Sequence, residues 1–72
     1  MNKEQFLAKM QDEVLDTEDE ITMKSKLDEI DEWDSLAFVS FIAMANTMAG
    51  IKIERAAIKS AVTVGDLYAL LQ

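Results

Sequence analysis

Between Asp34 and Lys52 the chain carries no charged residue, a run of 17 positions in a protein of 72. No other feature limits the fold as strongly. The run reads SLAFVSFIAMANTMAGI and contains Ser40, Asn46, Thr47 and Gly50. A membrane-spanning helix needs about 20 mostly apolar residues, so the segment is expected to be a helix buried in protein, without membrane insertion. Asp34 and Ser35 are both good N-cap residues, and Gly50 stands where a helix stops in the left-handed conformation. The spacing therefore predicts a helix beginning at Asp34 or Ser35 and running to about Ala49.

Charge is divided unevenly around this helix. Residues 1–34 hold 12 acids and four lysines, a balance of −8, whereas residues 35–72 hold two acids and three bases, a balance of +1. An acidic front of this kind repels nucleic acid and anionic lipid, because binding to phosphates depends on cationic side chains. Its expected partners are basic protein surfaces, although such charge also keeps a small domain soluble. The absence of cysteine rules out disulfides and thiolate metal sites and suits a reducing cytoplasm. The first residues, MNKEQFLAKMQDE, have no continuous apolar stretch of the signal-peptide kind. Without proline, repeats or low-complexity tracts, residues 1–72 are expected to form one domain.

The remaining segments follow helical periodicity. NKEQFLAKMQDEVLD sets Phe6, Met10 and Val14 four residues apart, with Leu7 and Leu15 beside them, which is an amphipathic helix. DTEDEITMKSKLDEIDEWD is polar, with Ile21, Met23, Leu27, Ile30 and Trp33 as scattered anchors; it reads as a long loop with a short helical turn. Loops of this length in small domains are often functional. After a short extended Ile51-Lys52-Ile53, ERAAIKSA suffices for a two-turn helix. Thr63 is the expected N-cap of a last helix, VGDLYALLQ, burying Val64, Leu67 and Leu70 or Leu71. The expected class is all-α: a four-helix bundle with three longer helices, a short third one, and a long loop between the first and second.

Little catalytic chemistry is on offer. With no histidine or cysteine, a serine nucleophile lacks its usual base, and transition-metal ligation would rest on carboxylates. Asp28, Asp31 and Asp34 could suggest calcium, but Ile30 and Trp33 interrupt them and no glycine supplies the sharp turn of an EF-hand loop. These acids read as a solvated loop, with a carboxylate-based ion binder the weakest of three functional readings. The chain is not expected to be an enzyme.

Asp34-Ser35-Leu36 alone has a purely structural explanation. An N-cap opens a helix, Leu36 is its first core residue, and Trp33 staples the preceding turn. The setting adds to this. An amphipathic first helix, a long loop, Asp34-Ser35-Leu36, a second helix, Ile51-Lys52-Ile53, a short third helix and Thr63-Val64-Gly65-Asp66-Leu67 follow in order over essentially the whole chain. This order resembles the acyl carrier proteins, whose Asp-Ser-Leu serine receives a 4′-phosphopantetheine arm. The resemblance implies that Ser35 carries that arm through a phosphodiester and holds acyl or aminoacyl groups as thioesters. Asp34 then belongs to the motif read by a phosphopantetheinyl transferase, while Leu36 and Val39 pack inward. Enzymes that load the acyl or aminoacyl group, and enzymes that transfer it, are the other partners implied.

The chain also departs from that pattern. Fatty-acid carriers typically have an acidic outer face on the second helix, whereas the corresponding Ala37, Ser40, Asn46 and Thr47 are uncharged. With Phe38 and Phe41 added, this helix is apolar nearly all round, and such a helix is either enclosed or docks against something. Part of it is expected to be an exposed docking face formed by Ala37 with Phe38 or Phe41. The charged half of recognition then falls to Asp28, Glu29, Asp31 and Glu32. Trp-Asp-Ser-Leu is similar to stand-alone carriers of specialised bacterial pathways, such as those making modified sugars, surface polymers or secondary metabolites, more than to housekeeping fatty-acid or lipid biosynthesis. Met10, Met44 and Met48, with many alanines nearby, read as ordinary core filling or as the walls of an acyl channel. The reading from a different class is an unmodified helical adaptor that docks partners through its apolar second helix. A monomer is expected, although an apolar helix could also pair with its own copy.

Overall fold

The computed structural model describes residues 2–71, which form four α-helices and no strand. The helices are α1 (Lys3–Lys9), α2 (Ser35–Ala49), α3 (Arg55–Lys59) and α4 (Val64–Ala69). Asn2 caps α1 reciprocally, its side chain accepting from the Gln5 amide while the Gln5 side chain accepts from the Asn2 amide. The chain then continues into a π-helical turn, Met10–Val14, closed by the Leu15 amide donating to the Met10 carbonyl at 2.8 Å. The wider turn brings Val14 back into line with Phe6 and Met10, and all three are buried. Asp16 then leaves in the left-handed region at φ 49°.

The long connection to α2 is irregular but well anchored. It contains a 3-10 turn, Leu27–Glu29. Ile21 and Leu27 are buried, while Met23, Ile30 and Trp33 are partly buried against the core. Its middle is stitched to the α3–α4 link. Leu27 donates to the Val62 carbonyl, Val64 to the Ser25 carbonyl and Gly65 to the Met23 carbonyl, at 2.9, 2.9 and 2.8 Å. Lys26 and Thr63 form an isolated antiparallel bridge within this seam.

The observed α2 starts and stops where its caps predict. Asp34 is the N-cap, and Gly50, at φ 67°, is the C-cap. Its rotation is not the expected one. The inward seam runs through Ala37, Phe41, Met44 and Ala45, a helical i, i+4, i+7, i+8 pattern. Leu36 and Val39 are off this seam and lie 78% and 53% exposed, so neither is a core residue. Ala37 and Phe41 are 2% and 0% exposed, and so cannot form a docking face. Two local contacts fix where the helix starts. Asp34 Oδ1 accepts from the Ala37 amide at 3.0 Å, and the Trp33 and Phe38 rings meet at 6.1 Å between centroids. That ring pair is the hydrophobic staple between the residue before the cap and the fourth residue of the helix. Deeper in, Phe41 meets Phe6 edge-on at 6.5 Å and Trp33 at 6.4 Å.

The last two helices are shorter than expected. The α3 helix spans five residues, without a side-chain N-cap bond. The six-residue α4 is hardly longer, although Thr63 caps it as expected. Val64, Leu67 and Leu71 are buried and Leu70 is partly so. Gln72, the last residue expected in this helix, lies outside the described residues. The radius of gyration is 10.7 Å, close to the roughly 11 Å of a folded chain of this length. No described helix is long and apolar enough to cross a membrane.

Candidate functional site

The candidate site lies at the mouth of α2. Asp34 is in extended conformation, φ −125° and ψ −167°, which turns its side chain back over the first helical turn. Besides accepting from Ala37 through Oδ1, Asp34 uses its backbone carbonyl to accept from the Phe38 amide at 2.9 Å. Ser35 is therefore the first helical residue, and it is exposed. Its hydroxyl has no hydrogen-bond partner among the described residues. An unengaged hydroxyl at the positive end of a 15-residue helix favours the addition of an anionic group there.

Beside Ser35 lies an open groove of about 460 Å³ between the start of α2 and α3. Trp33, Asp34, Ser35, Phe38 and Val39 form one wall, and Arg55, Ile58, Lys59 and Ala61 form the other. Its lining thus carries one carboxylate and two cations, a formal +1 in a chain of net −7. The ion pair among the described residues joins Lys9 to Glu13. Arg55 and Lys59 have no carboxylate partner among the described residues.

The structure separates the expected site residues into three groups. Asp34, Ser35 and Phe38 line the groove, while Leu36 points outward next to it. Ala37 and Phe41 belong to the core. Of the acids before the serine, Glu29, Asp31 and Glu32 line a separate hollow with Thr17, Asp19 and Glu20 across the long loop, and none lines the serine groove. Among the described residues no three acids gather closely enough to hold a metal ion. Met10 and Met44 are buried, whereas Met48 is half exposed beside a hollow that it shares with Met44 and Ser40.

Arg55, Ile58 and Lys59 were not expected at the site. A sequence signal for them exists in hindsight. Two bases stand four residues apart on α3, next to an apolar residue, in the half of the chain that is nearly free of charge. Such a pair lies on one helical face, and only the fold reveals that this face looks toward Ser35.

No family model, no curated protein and no solved structure matches the chain.

Proposed function

We propose that this chain is a carrier, with Ser35 as the attachment point of a 4′-phosphopantetheine arm. The observation that carries this reading is the exposed, unengaged Ser35 hydroxyl at the first position of the longest helix, held there by the Asp34 cap beside an open groove. The arm's terminal thiol would hold acyl or aminoacyl groups as thioesters, which is the chemistry that this chain's own side chains lack. Ser35 supplies the oxygen of the phosphodiester, and the free amides at the start of α2 face the added phosphate. In this reading Asp34 fixes where the serine stands, and the four helices make an acyl-carrier-like domain over 1–72. The chain itself is not an enzyme.

The reading extends to partners. A phosphopantetheinyl transferase installs the arm in the cytoplasm, and loading and acyl-transfer enzymes then meet the carrier. The outer face of α2 gives them Leu36, Val39, Ala43, Asn46 and Thr47, all exposed and uncharged. This supports a role in a specialised pathway, where partners read an apolar face, over one relying on an acidic recognition helix.

The same exposed Leu36 and Val39 favour a second reading, an unmodified adaptor that docks through this face. Intact mass after incubation with coenzyme A and a promiscuous phosphopantetheinyl transferase separates the two. A carrier gains one phosphopantetheine in the wild type and none in Ser35→Ala. No gain, or a gain that survives Ser35→Ala, removes the carrier reading and leaves the adaptor.

A further inference from the structure

We infer that Arg55 and Lys59 form a phosphate clamp that folds the arm borne on Ser35 into the groove between α2 and α3. This rests on the carrier reading and adds to it a defined resting position for the arm and two residues that hold it.

Three observations support the clamp. The first is position: two of the three bases in residues 35–72 line the same groove as Ser35. The second is that neither base is paired among the described residues, although the chain holds 14 acids. Lys59 in the last turn of α3 has a local explanation, because cations stabilise helix C-termini. Arg55 has none. It occupies the first position of α3, the end where helix electrostatics disfavours a cation. The third is charge. Asp34 against Arg55 and Lys59 leaves the lining at +1, and one phosphodiester, a monoanion, brings it to neutrality.

The chemistry of the walls fits the same occupant. A guanidinium offers a planar fork to phosphate oxygens, and an ammonium adds a point charge. Between them, the partly buried Trp33, Phe38 and Ala61 provide apolar surface for the rest of the arm. A fully solvated arm would need neither part. With its phosphate clamped, the arm spends most of its time along the groove and swings out when a partner's own cations compete for the phosphate.

The test compares apo and holo protein, with loading verified by intact mass, through amide NMR signals of Ile58 and Ala61 and the Trp33 indole signal. Ile58 and Ala61 lie on the α3 side of the groove, and the dependence of their shifts on the two bases separates clamping from modification of the serine alone. On loading, their signals are expected to shift. The shifts should disappear in the holo form of the R55Q/K59Q double variant and persist in R55K. In wild-type holo protein they should also fade in 1 M salt, where the screening length falls to about 3 Å. A loaded protein whose far-wall signals match the apo form overturns the clamp and leaves the carrier reading intact. Shifts that survive both R55Q/K59Q and high salt overturn it as well. Failure to load shows as an unchanged mass and removes the clamp together with the carrier reading.

Discussion

The Gly65 amide donates to the Met23 carbonyl at 2.8 Å, and a β-carbon on Gly65 would stand 2.8 Å from that same oxygen. The contact holds the long acidic loop against the start of α4, and it has no room for a side chain. Gly65→Ala puts two effects in opposition. Alanine favours a helical position by about 1 kcal/mol over glycine. Against this, overpacking costs about 1–3 kcal/mol, and the displaced hydrogen bond costs about another 1 kcal/mol. The obstacle is backbone and cannot swing aside, so the expected net result is a loss of stability. Urea denaturation checks it: the midpoint should fall with an unchanged slope, and a raised midpoint would show that the loop yields freely.

Asp66, the next residue along, binds back onto the α3–α4 link. Its Oδ2 accepts from the Val62 and Thr63 amides at 2.9 and 3.1 Å, and the Thr63 hydroxyl accepts from the Asp66 amide in return. The Val62 amide, then the Thr63 amide, hold the carboxyl below its ordinary value of 3.8. A lowered folded-state value means that the charged form is favoured by folding. The associated stability is therefore present above about pH 4 and is lost as pH falls through the folded-state value. Asp66→Asn should be less stable than wild type at pH 7, and this gap should close under strongly acidic conditions. Thermal melts at pH 7 and pH 3 would reveal it; a gap of constant size would mean that the charge contributes nothing.

The helix boundaries were legible in the residues because caps are local chemistry. Asp34, Gly50 and Thr63 satisfy or terminate backbone groups within a few positions of themselves, and the Trp33–Phe38 staple is equally local. The rotation of α2 was not legible. A helix apolar on nearly every side has no polar face to mark the outside, so Leu36 and Ala37 look equally eligible for the core. Packing against Phe6 and Trp33 decides between them, and those contacts span the chain. The π turn was hidden for a similar reason: Val14 returns into line with Phe6 and Met10 through a wider backbone turn that the residues do not mark. Half of the candidate groove was also invisible, since α3 reaches Ser35 through tertiary structure.

That rotation makes a sharp prediction about adjacent residues. Leu36→Gln and Val39→Thr change exposed side chains and should alter stability by no more than about 0.5 kcal/mol. Ala37→Leu forces added volume into the seam and should cost about 1–3 kcal/mol. Phe41→Ala removes a ring that touches Phe6 and Trp33 and should cost about 3–5 kcal/mol, a large share of the stability of so small a domain. Chemical denaturation of the four variants tests the order. If Leu36→Gln proved as damaging as Phe41→Ala, the inward seam assigned to α2 would be wrong.

The cap and the serine it presents should separate stability from function. Asp34→Ala removes the acceptor for the Ala37 amide and should destabilise the protein by about 0.5–2 kcal/mol. Asp34→Asn retains a capping oxygen and should recover most of that loss. Ser35→Ala deletes a hydroxyl that no described residue engages, at a helical position where alanine is the best former, so stability should hold or rise slightly. Its effect falls instead on modification, since there is no oxygen left to carry a phosphodiester. Melting curves paired with intact mass after treatment with coenzyme A and a transferase distinguish the two residues. A Ser35→Ala protein as unstable as Asp34→Ala would mean that the serine is retained for structure, and the carrier reading would lose the observation on which it stands.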